Sequence, residues 1–324
     1  MSDSAFLPEY PTGDDELRHS RSSIIVQTRI RQSVWKIAFA TLLLMAVGSA
    51  TRVMNAGLAC PDWPLCYGQL VPTQQMNLQV FLEWFHRLDA ALIGFSTLFL
   101  AGSSWWFRHQ LPRWTPWATT FALSLILVQG ALGAFTVTEL LRFDIVTAHL
   151  GTALLFFATL LSIGTLLLPV SPSPNLPVSQ SPPLPLLPLT AAAFVYLQSI
   201  LGGLVGSRWA LHQCFGNSEL CTVMNSHIIG VVPATLSCIA VIFTIWRNQN
   251  SPALARKLAA IVGGLLIAQI LLGTATFKLH LQVETLTVAH QSIGAMLLGS
   301  LVVLTSLLWR LRSGFDEESS NLKF

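Results

Sequence analysis

Residues 146–155 read VTAHLGTALL, and residues 288–297 read VAHQSIGAML. Both are apolar, rich in Leu, Ala and Gly, and each holds one histidine, His149 or His290. Upstream lies a second matching pair, VQGALGAFTV (128–137) and AQILLGTATF (268–277), which sets Gln129 against Gln269 and Gly133 against Gly273. His86 and His227 are separated by 141 residues, and so are His149 and His290. Any two apolar helices look alike, but that does not make two histidines and a glutamine recur in register. The chain therefore reads as a duplication, four helices per half, related by an axis along the membrane normal. The first helix of each half and the loop after it do not align without gaps. Near the middle, SPSPNLPVSQSPPLPLLP (171–188) is too rich in Pro and Ser to pack a core and reads as a linker.

Composition sets the solvent. Of 324 residues, 52% are hydrophobic and 10% charged, and mean hydropathy is +0.60. Soluble domains average about 25% charged residues, so a soluble enzyme is excluded. A net charge of +3 is too small to indicate nucleic acid. A bilayer crossing takes about 20 mostly apolar residues. Eight stretches qualify: 34–57, 81–107, 116–138, 145–169, 187–207, 222–246, 256–277 and 284–311. They are unbroken runs without barrel alternation, and helices satisfy their own backbone in lipid. The expected fold is all-α: a polytopic membrane protein of eight transmembrane helices, arranged as two pseudo-twofold-related four-helix bundles.

The expected division is a polar N-terminal tail (1–33) with little structure, a first bundle (34–169), the linker (170–186), a second bundle (187–312) and a C-terminal tail (313–324). No cleavable signal peptide is evident in the first 33 residues, which include Asp14, Asp15 and Glu16. Thirteen Lys and Arg fall on the side of both termini, against Arg142, Arg208 and Lys278 on the other, with Arg52 and Arg87 near helix ends. The positive-inside rule then makes both termini cytoplasmic.

His86, His149, His227 and His290 each fall in the first turns of an inward-running helix, near the outer face. A lone intramembrane histidine is usually a satisfied polar residue. Four at matched depth, two per half, point to function. Neutral imidazole ligates haem iron, and one His from each of two helices can grip an iron from opposite faces: His86 with His149, His227 with His290. Gly151, Gly230 and Gly294 follow three of these histidines and offer room for a porphyrin, although taken singly each is better explained by close helix packing. Zinc is disfavoured, since no HExxH or paired-Cys motif accompanies these histidines. His19, His109, His212 and His280 read as solvated or interfacial.

Glu83 precedes His86 by three residues on the same helix face. It can serve as a proton donor or stabilise a cationic intermediate, or simply pair with Arg87. Met224 holds the corresponding place before His227. The two sites therefore differ, which suggests chemistry at the first and electron transfer at the second. Of five cysteines, Cys60 and Cys66 lie in CPDWPLC and Cys214 and Cys221 in CFGNSELC, both in outer loops where disulfides persist. Each pair can staple a lid. For Cys60 and Cys66, redox exchange with a partner thiol is an equal reading. Cys238 reads as a buried free thiol.

With these residues assembled, the chain resembles the haem A synthase family. The matching segments are TRVMNAGLACPDWPLCYG (51–68), EWFHR (83–87), QGALG (129–133), TAHLG (147–151), NSH (225–227) and AHQSIGA (289–295). CPDWPLC together with EWFHR is specific; the fragments of helices 3 and 4 alone are weak. The likeness covers about residues 34 to 310. It implies that His227 and His290 bind a resident haem b, that His86 and His149 hold the haem O being oxidised, and that Glu83 is the family's important acid. Cys60 and Cys66 correspond to its outer-loop pair. The implied reaction converts the C8 methyl of haem O to a formyl for terminal oxidase biogenesis. The implied setting is the plasma membrane, with an electron partner, and with haem O synthase and oxidase assembly factors as associates. Two other readings compete. A bis-His cytochrome b for electron transfer needs neither CPDWPLC nor a single Glu. A membrane thiol-disulfide oxidoreductase leaves four histidines unexplained. A transporter, a third possibility, is disfavoured because the ionisable residues sit near one face.

Overall fold

The computed structural model describes residues 13–169, 185–208, 219–249, 251–280 and 282–321. Helices α1 (Gly13–Val53), α2 (Leu78–Trp106), α3 (Thr115–Thr138) and α4 (Phe143–Leu166) make up the first half. Helices α5 (Leu186–Arg208), α6 (Glu219–Arg247), α7 (Ala253–Lys278) and α8 (Glu284–Asn321) make up the second. All eight are long and apolar enough to cross a membrane. Among the described residues there is no strand, only an isolated bridge between Cys66 and Gln69.

Helix boundaries depart from expectation at both ends. Helix α1 starts at Gly13, inside the stretch expected to be a tail. After Gly13 no Gly or Pro occurs until Gly48, and polar residues outside a bilayer do not oppose a helix. The extension is also tied down: Ile30 and Val34 are buried, Ser22 Oγ donates to Gln110 Oε1 at 3.0 Å, and Arg31 Nη1 donates to the Leu167 carbonyl at 3.1 Å. Helix α8 likewise continues to Asn321, past the expected boundary at 312. The linker falls largely outside the described residues, and α5 takes up the chain at Leu186. Asn77 caps α2, its Oδ1 accepting from Val80 N at 2.9 Å.

Within the first half, α1 packs on α2, α2 on α3, α3 on α4, and α4 back on α1. Helices α5 to α8 close in the same cycle. Contacts α1–α8, α4–α5 and α4–α8 join the two sets. Exchanging each helix for its counterpart turns α1–α8 into α5–α4 and maps α4–α8 onto itself, which is the contact pattern of a pseudo-twofold axis passing between α4 and α8. The most buried side chains gather there and around it: Phe156 and Leu160 of α4, and Leu301, Leu304 and Leu308 of α8. Gly299 of α8 permits the close approach, since a Cβ at this position would lie 2.9 Å from Leu161 Cδ1 and from Phe157 Cε1. Large apolar side chains such as Phe39, Phe99, Leu127 and Ile229 face outward, as lipid contact allows.

The loop from α1 to α2 is folded tightly over the start of α2. A disulfide joins Cys60 and Cys66. Arg87 of α2 reaches into the ring this bond closes: Nη1 donates to the carbonyls of Asp62 and Leu65, each at 2.6 Å, and Nη2 to that of Cys60 at 3.4 Å. Trp84 Nε1 donates to the Leu70 carbonyl at 2.7 Å. The exposed Asp62 carboxylate accepts from the backbone N–H of Tyr67 at 2.6 Å and of Gly68 at 2.8 Å. These bonds, Gly68 foremost, hold its carboxyl below the usual range.

Two outcomes follow from this architecture. Gly299→Leu forces bulk into the α4–α8 contact and should destabilise the fold by about 1–3 kcal/mol, read as a lowered thermal midpoint in detergent; an unchanged midpoint would mean the helices can separate freely there. Asp62 is more acidic when the loop is folded than when it is open. Its support of the loop is therefore complete above an ordinary carboxylate value of about 3.9 and disappears as pH falls through the lowered one. Reduction of Cys60–Cys66 by a water-soluble phosphine should accelerate over that acid range, and Asp62→Asn should abolish the pH dependence.

Candidate haem-ligand sites

Each of the four histidines occupies an early turn of an even-numbered helix: His86 in α2 and His227 in α6 stand eight positions after the helix's first residue, His149 in α4 and His290 in α8 six. All four therefore lie at the end of the bundle opposite both termini. His86 and His149 stand on helices of the first cycle, His227 and His290 on helices of the second.

Every ring is received by a glycine on the preceding odd-numbered helix. A Cβ at Gly48 would stand 2.8 Å from His86 Cε1, at Gly133 3.2 Å from His149 Cε1, at Gly202 3.0 Å from His227 Cε1, and at Gly273 2.8 Å from His290 Cε1. Any larger residue would collide with the ring, so the imidazole lies in a groove cut by the missing side chain. Four positions before the groove glycine stands Gln129, Gln198 or Gln269, and in the fourth case Leu44. Gln129 Nε2 lies 3.3 Å from His149 Nε2, Gln198 Nε2 3.0 Å from His227 Nδ1, and Gln269 Nε2 3.4 Å from His290 Nε2. The Q-x-x-x-G spacing places amide and groove one helical turn apart, on the same face.

Sequence reasoning had paired Gln129 with Gln269 and Gly133 with Gly273 without giving them a task, and had missed Gly48, Gln198 and Gly202. The Q-x-x-x-G spacing was the available signal. The glycines that had been offered as porphyrin room face elsewhere. Gly151 meets Ile200 and Tyr196, Gly230 meets Gln198, and Gly294 meets Gln269. They bring helices together, and the room beside each imidazole comes from the helix before.

Glu83 is 3% exposed and fully engaged with the loop above it. Its Oε1 accepts from Arg87 Nη2 at 2.5 Å, and its Oε2 from the Cys60 backbone N–H at 2.8 Å. The pairing with Arg87 is thus present, and the carboxylate links the first turns of α2 to the disulfide ring. Cys60 and Cys66 are 0% and 2% exposed. Thiol–disulfide exchange needs a thiolate to reach sulfur, so in this conformation the bond is closed to a partner. Cys221 is buried at the start of α6, but Cys214 lies outside the described residues, as does His212. Cys238 is a buried free thiol. His109 and His280 are exposed as expected; the side chain of His19 lies outside the described residues.

Two imidazoles with no third ligand suit an iron whose other positions are filled by a macrocycle. Among the described residues no group of three or more His, Cys, Asp or Glu could hold a bare metal ion. Nδ1 of His86, of His149 and of His290 is buried without a hydrogen-bond partner, an unstable arrangement in lipid unless the ring has another task. The residues therefore fit haem.

Comparison with known proteins agrees. The COX15-CtaA family, described as cytochrome oxidase assembly protein, matches residues 31–302. A haem A synthase of Shewanella oneidensis is 30% identical over 320 residues, covering 83% of this chain and 93% of the relative. A haem A synthase of Rhodospirillum centenum is 28% identical, covering 86% of this chain and 88% of the relative. A protoheme IX farnesyltransferase of Halobacterium salinarum is 34% identical over 117 residues, which is 36% of this chain and 26% of that protein. The chain belongs to the COX15-CtaA family of cytochrome oxidase assembly proteins.

Proposed function

We propose that this protein is a membrane oxidoreductase that converts the C8 methyl group of haem O to the formyl group of haem A, for terminal oxidase biogenesis. The observation that carries the reading is the pair of two-histidine sites, each ring seated in a glycine groove, in a chain similar along most of its length to haem A synthases.

His86 and His149 hold the substrate haem O, and His227 and His290 hold a resident haem b. Oxidation of a methyl group needs chemistry that side chains lack, and the resident haem supplies one-electron redox capacity. With water as the oxygen source, the net change at the substrate is one methyl and one water giving one formyl, four electrons and four protons, through hydroxymethyl and gem-diol stages, the electrons passing on singly to an external one-electron acceptor. Glu83 is the acid at the substrate site. It lies three residues before His86, and its contacts with Arg87 and the Cys60 N–H keep it aimed at the loop until one of them is released. The Cys60–Cys66 bond acts as a staple: it closes the ring that Arg87 fills.

The farnesyl tail of haem O is lipid-soluble, so the substrate reaches the helices through the membrane. The likeness to a protoheme farnesyltransferase supports a haem O synthase as a working partner, alongside oxidase assembly factors. The excess of Lys and Arg at the end bearing the termini supports a plasma-membrane orientation with both termini cytoplasmic and the His and Cys sites near the outer face.

Co-expression with a haem O source, followed by extraction and identification of haems by chromatography and mass, tests the reading. Haem A or its hydroxylated precursor beside haem B is expected; haem B with haem O left unchanged would favour an electron-transfer cytochrome. In single variants, His86→Ala and His149→Ala should abolish haem A while haem B persists, and His227→Ala and His290→Ala should lose haem B. Equal haem loss from all four would contradict the division between sites.

A further inference from the structure

A groove of about 410 Å³ runs between α1 and α2 on the outside of the first half. Its walls are the side chains of Phe95, Phe99 and Leu100 of α2. Its polar groups are Ser33 and Lys36 of α1 and Ser96 of α2. Lys36 is exposed, as are Phe95 and Phe99, so the groove faces lipid. Arg29 precedes Ser33 by four residues and Lys36 by seven, which places all three on one face of α1. That face looks toward α2: Ser22, seven residues before Arg29, donates to Gln110 in the turn after α2. Neither Lys36 nor Arg29 is paired with a carboxylate among the described residues. Serine and threonine inside a helix commonly donate to a carbonyl one turn back. Thr41 of α1 does so to Ile37 and Thr97 of α2 to Ile93, each at 2.8 Å. The hydroxyls of Ser33 and Ser96 make no such bond and remain available to a ligand.

Depth and order of the groups narrow the ligand. Lys36 stands twelve residues before Gly48, hence about 18 Å from the level of the histidines, in a hydrocarbon layer about 30 Å thick. Ser33 and Arg29 lie progressively nearer the interface at the end bearing the termini. The exposed Trp105, Trp106, Trp114 and Trp117 mark that interface around the α2–α3 turn. A lysine stem can carry its ammonium toward the same level while its methylenes stay in the groove. Cationic and hydroxyl groups thus occupy the interface end, and Phe95 extends the groove toward the mid-plane. The second half has no such arrangement. With Gly48 set against Gly202, Lys36 corresponds to Thr190 and Ser33 to Leu187. The Thr190 hydroxyl is spent on the Leu187 carbonyl at 2.8 Å, and that of Ser237, the counterpart of Ser96, on the Ala234 carbonyl at 2.9 Å. We propose that the α1–α2 groove binds one anionic phospholipid from the leaflet on the side of the termini. Its phosphate meets Lys36 and Ser33, with Arg29 beyond. Ser96 donates to an ester carbonyl, and an acyl chain lies over Phe95 and Phe99. A zwitterionic lipid carries an ammonium that two unpaired cations repel, so charge selects the anionic class. The site does not depend on what the histidines bind.

The test titrates the full-length protein in detergent micelles with phosphatidylglycerol or phosphatidylcholine of the same acyl chains, and counts bound lipid by native mass spectrometry. The first phosphatidylglycerol should bind at least about fivefold more tightly than the first phosphatidylcholine. Lys36→Ala should weaken it by about fivefold, the worth of one cation beside a headgroup, and Lys36→Arg should retain it. Ser33→Ala combined with Ser96→Ala should weaken it with the charge unchanged. Lys257→Ala, which removes an exposed cation of α7 outside the groove, should leave it as in the wild type. If Lys36→Ala fails to fold, Lys36→Met, which keeps an apolar stem, carries the comparison. Equal binding of the two lipids, undiminished binding by Lys36→Ala, or equal weakening by Lys257→Ala would overturn the proposal. Displacement of the lipid by glycerol phosphate would overturn it too, since the groove would then hold a free anion without need of acyl chains.

Discussion

An imidazole within a lipid-embedded helix needs room beside a neighbouring backbone and polar company for its nitrogens. Here both come from the helix that precedes it in the chain. Gly48, Gly133, Gly202 and Gly273 each remove a side chain where the ring must lie, and in three cases a glutamine one turn earlier brings an amide to the ring. The arrangement requires odd and even helices to be antiparallel neighbours at close range. Short loops provide that for α3–α4 and α7–α8, and the clasped loop under Arg87 provides it for α1–α2. Most other features of the histidine-bearing end of the bundle are arranged around these four contacts.

Much of this was legible in the sequence, for identifiable reasons. Bilayer thickness imposes a length on each span, so eight apolar runs gave eight helices. Duplication left His149 and His290, and their upstream glutamines, in register. What bilayer thickness does not constrain was misread: α1 continues back to Gly13 because outside the lipid only propensity and local contacts such as Arg31 with Leu167 decide the helix end. Side-chain direction was the other loss. Gly151 and Gly294 look equivalent to Gly133 on paper, since each is a glycine near a histidine. Which of them faces a ring depends on the rotation of a neighbouring helix, and that is a tertiary property. The partners of Glu83 split in the same way. Arg87, four residues on, was readable from helical spacing, whereas the Cys60 N–H required the loop's path.

Duplicated helices make two similar sites, and similarity is an obstacle when the sites have different work. The departures from symmetry are few and concentrate on the first half. Leu44 replaces the glutamine beside His86. Glu83 stands where the second half has Met224. Arg87 and the Cys60–Cys66 ring close over α2. Of the polar contacts that cross from one half to the other, Ser49 with Gln291 and Arg52 with the Gly206 carbonyl are donated by α1, and Tyr196 of α5 donates to the Gly151 carbonyl at 3.3 Å. His149, His227 and His290 each have a groove and an amide. His86 has a groove and, in place of the amide, the aliphatic Leu44, whose backbone its ring still engages, so the departure from symmetry falls on one ligand of the first half.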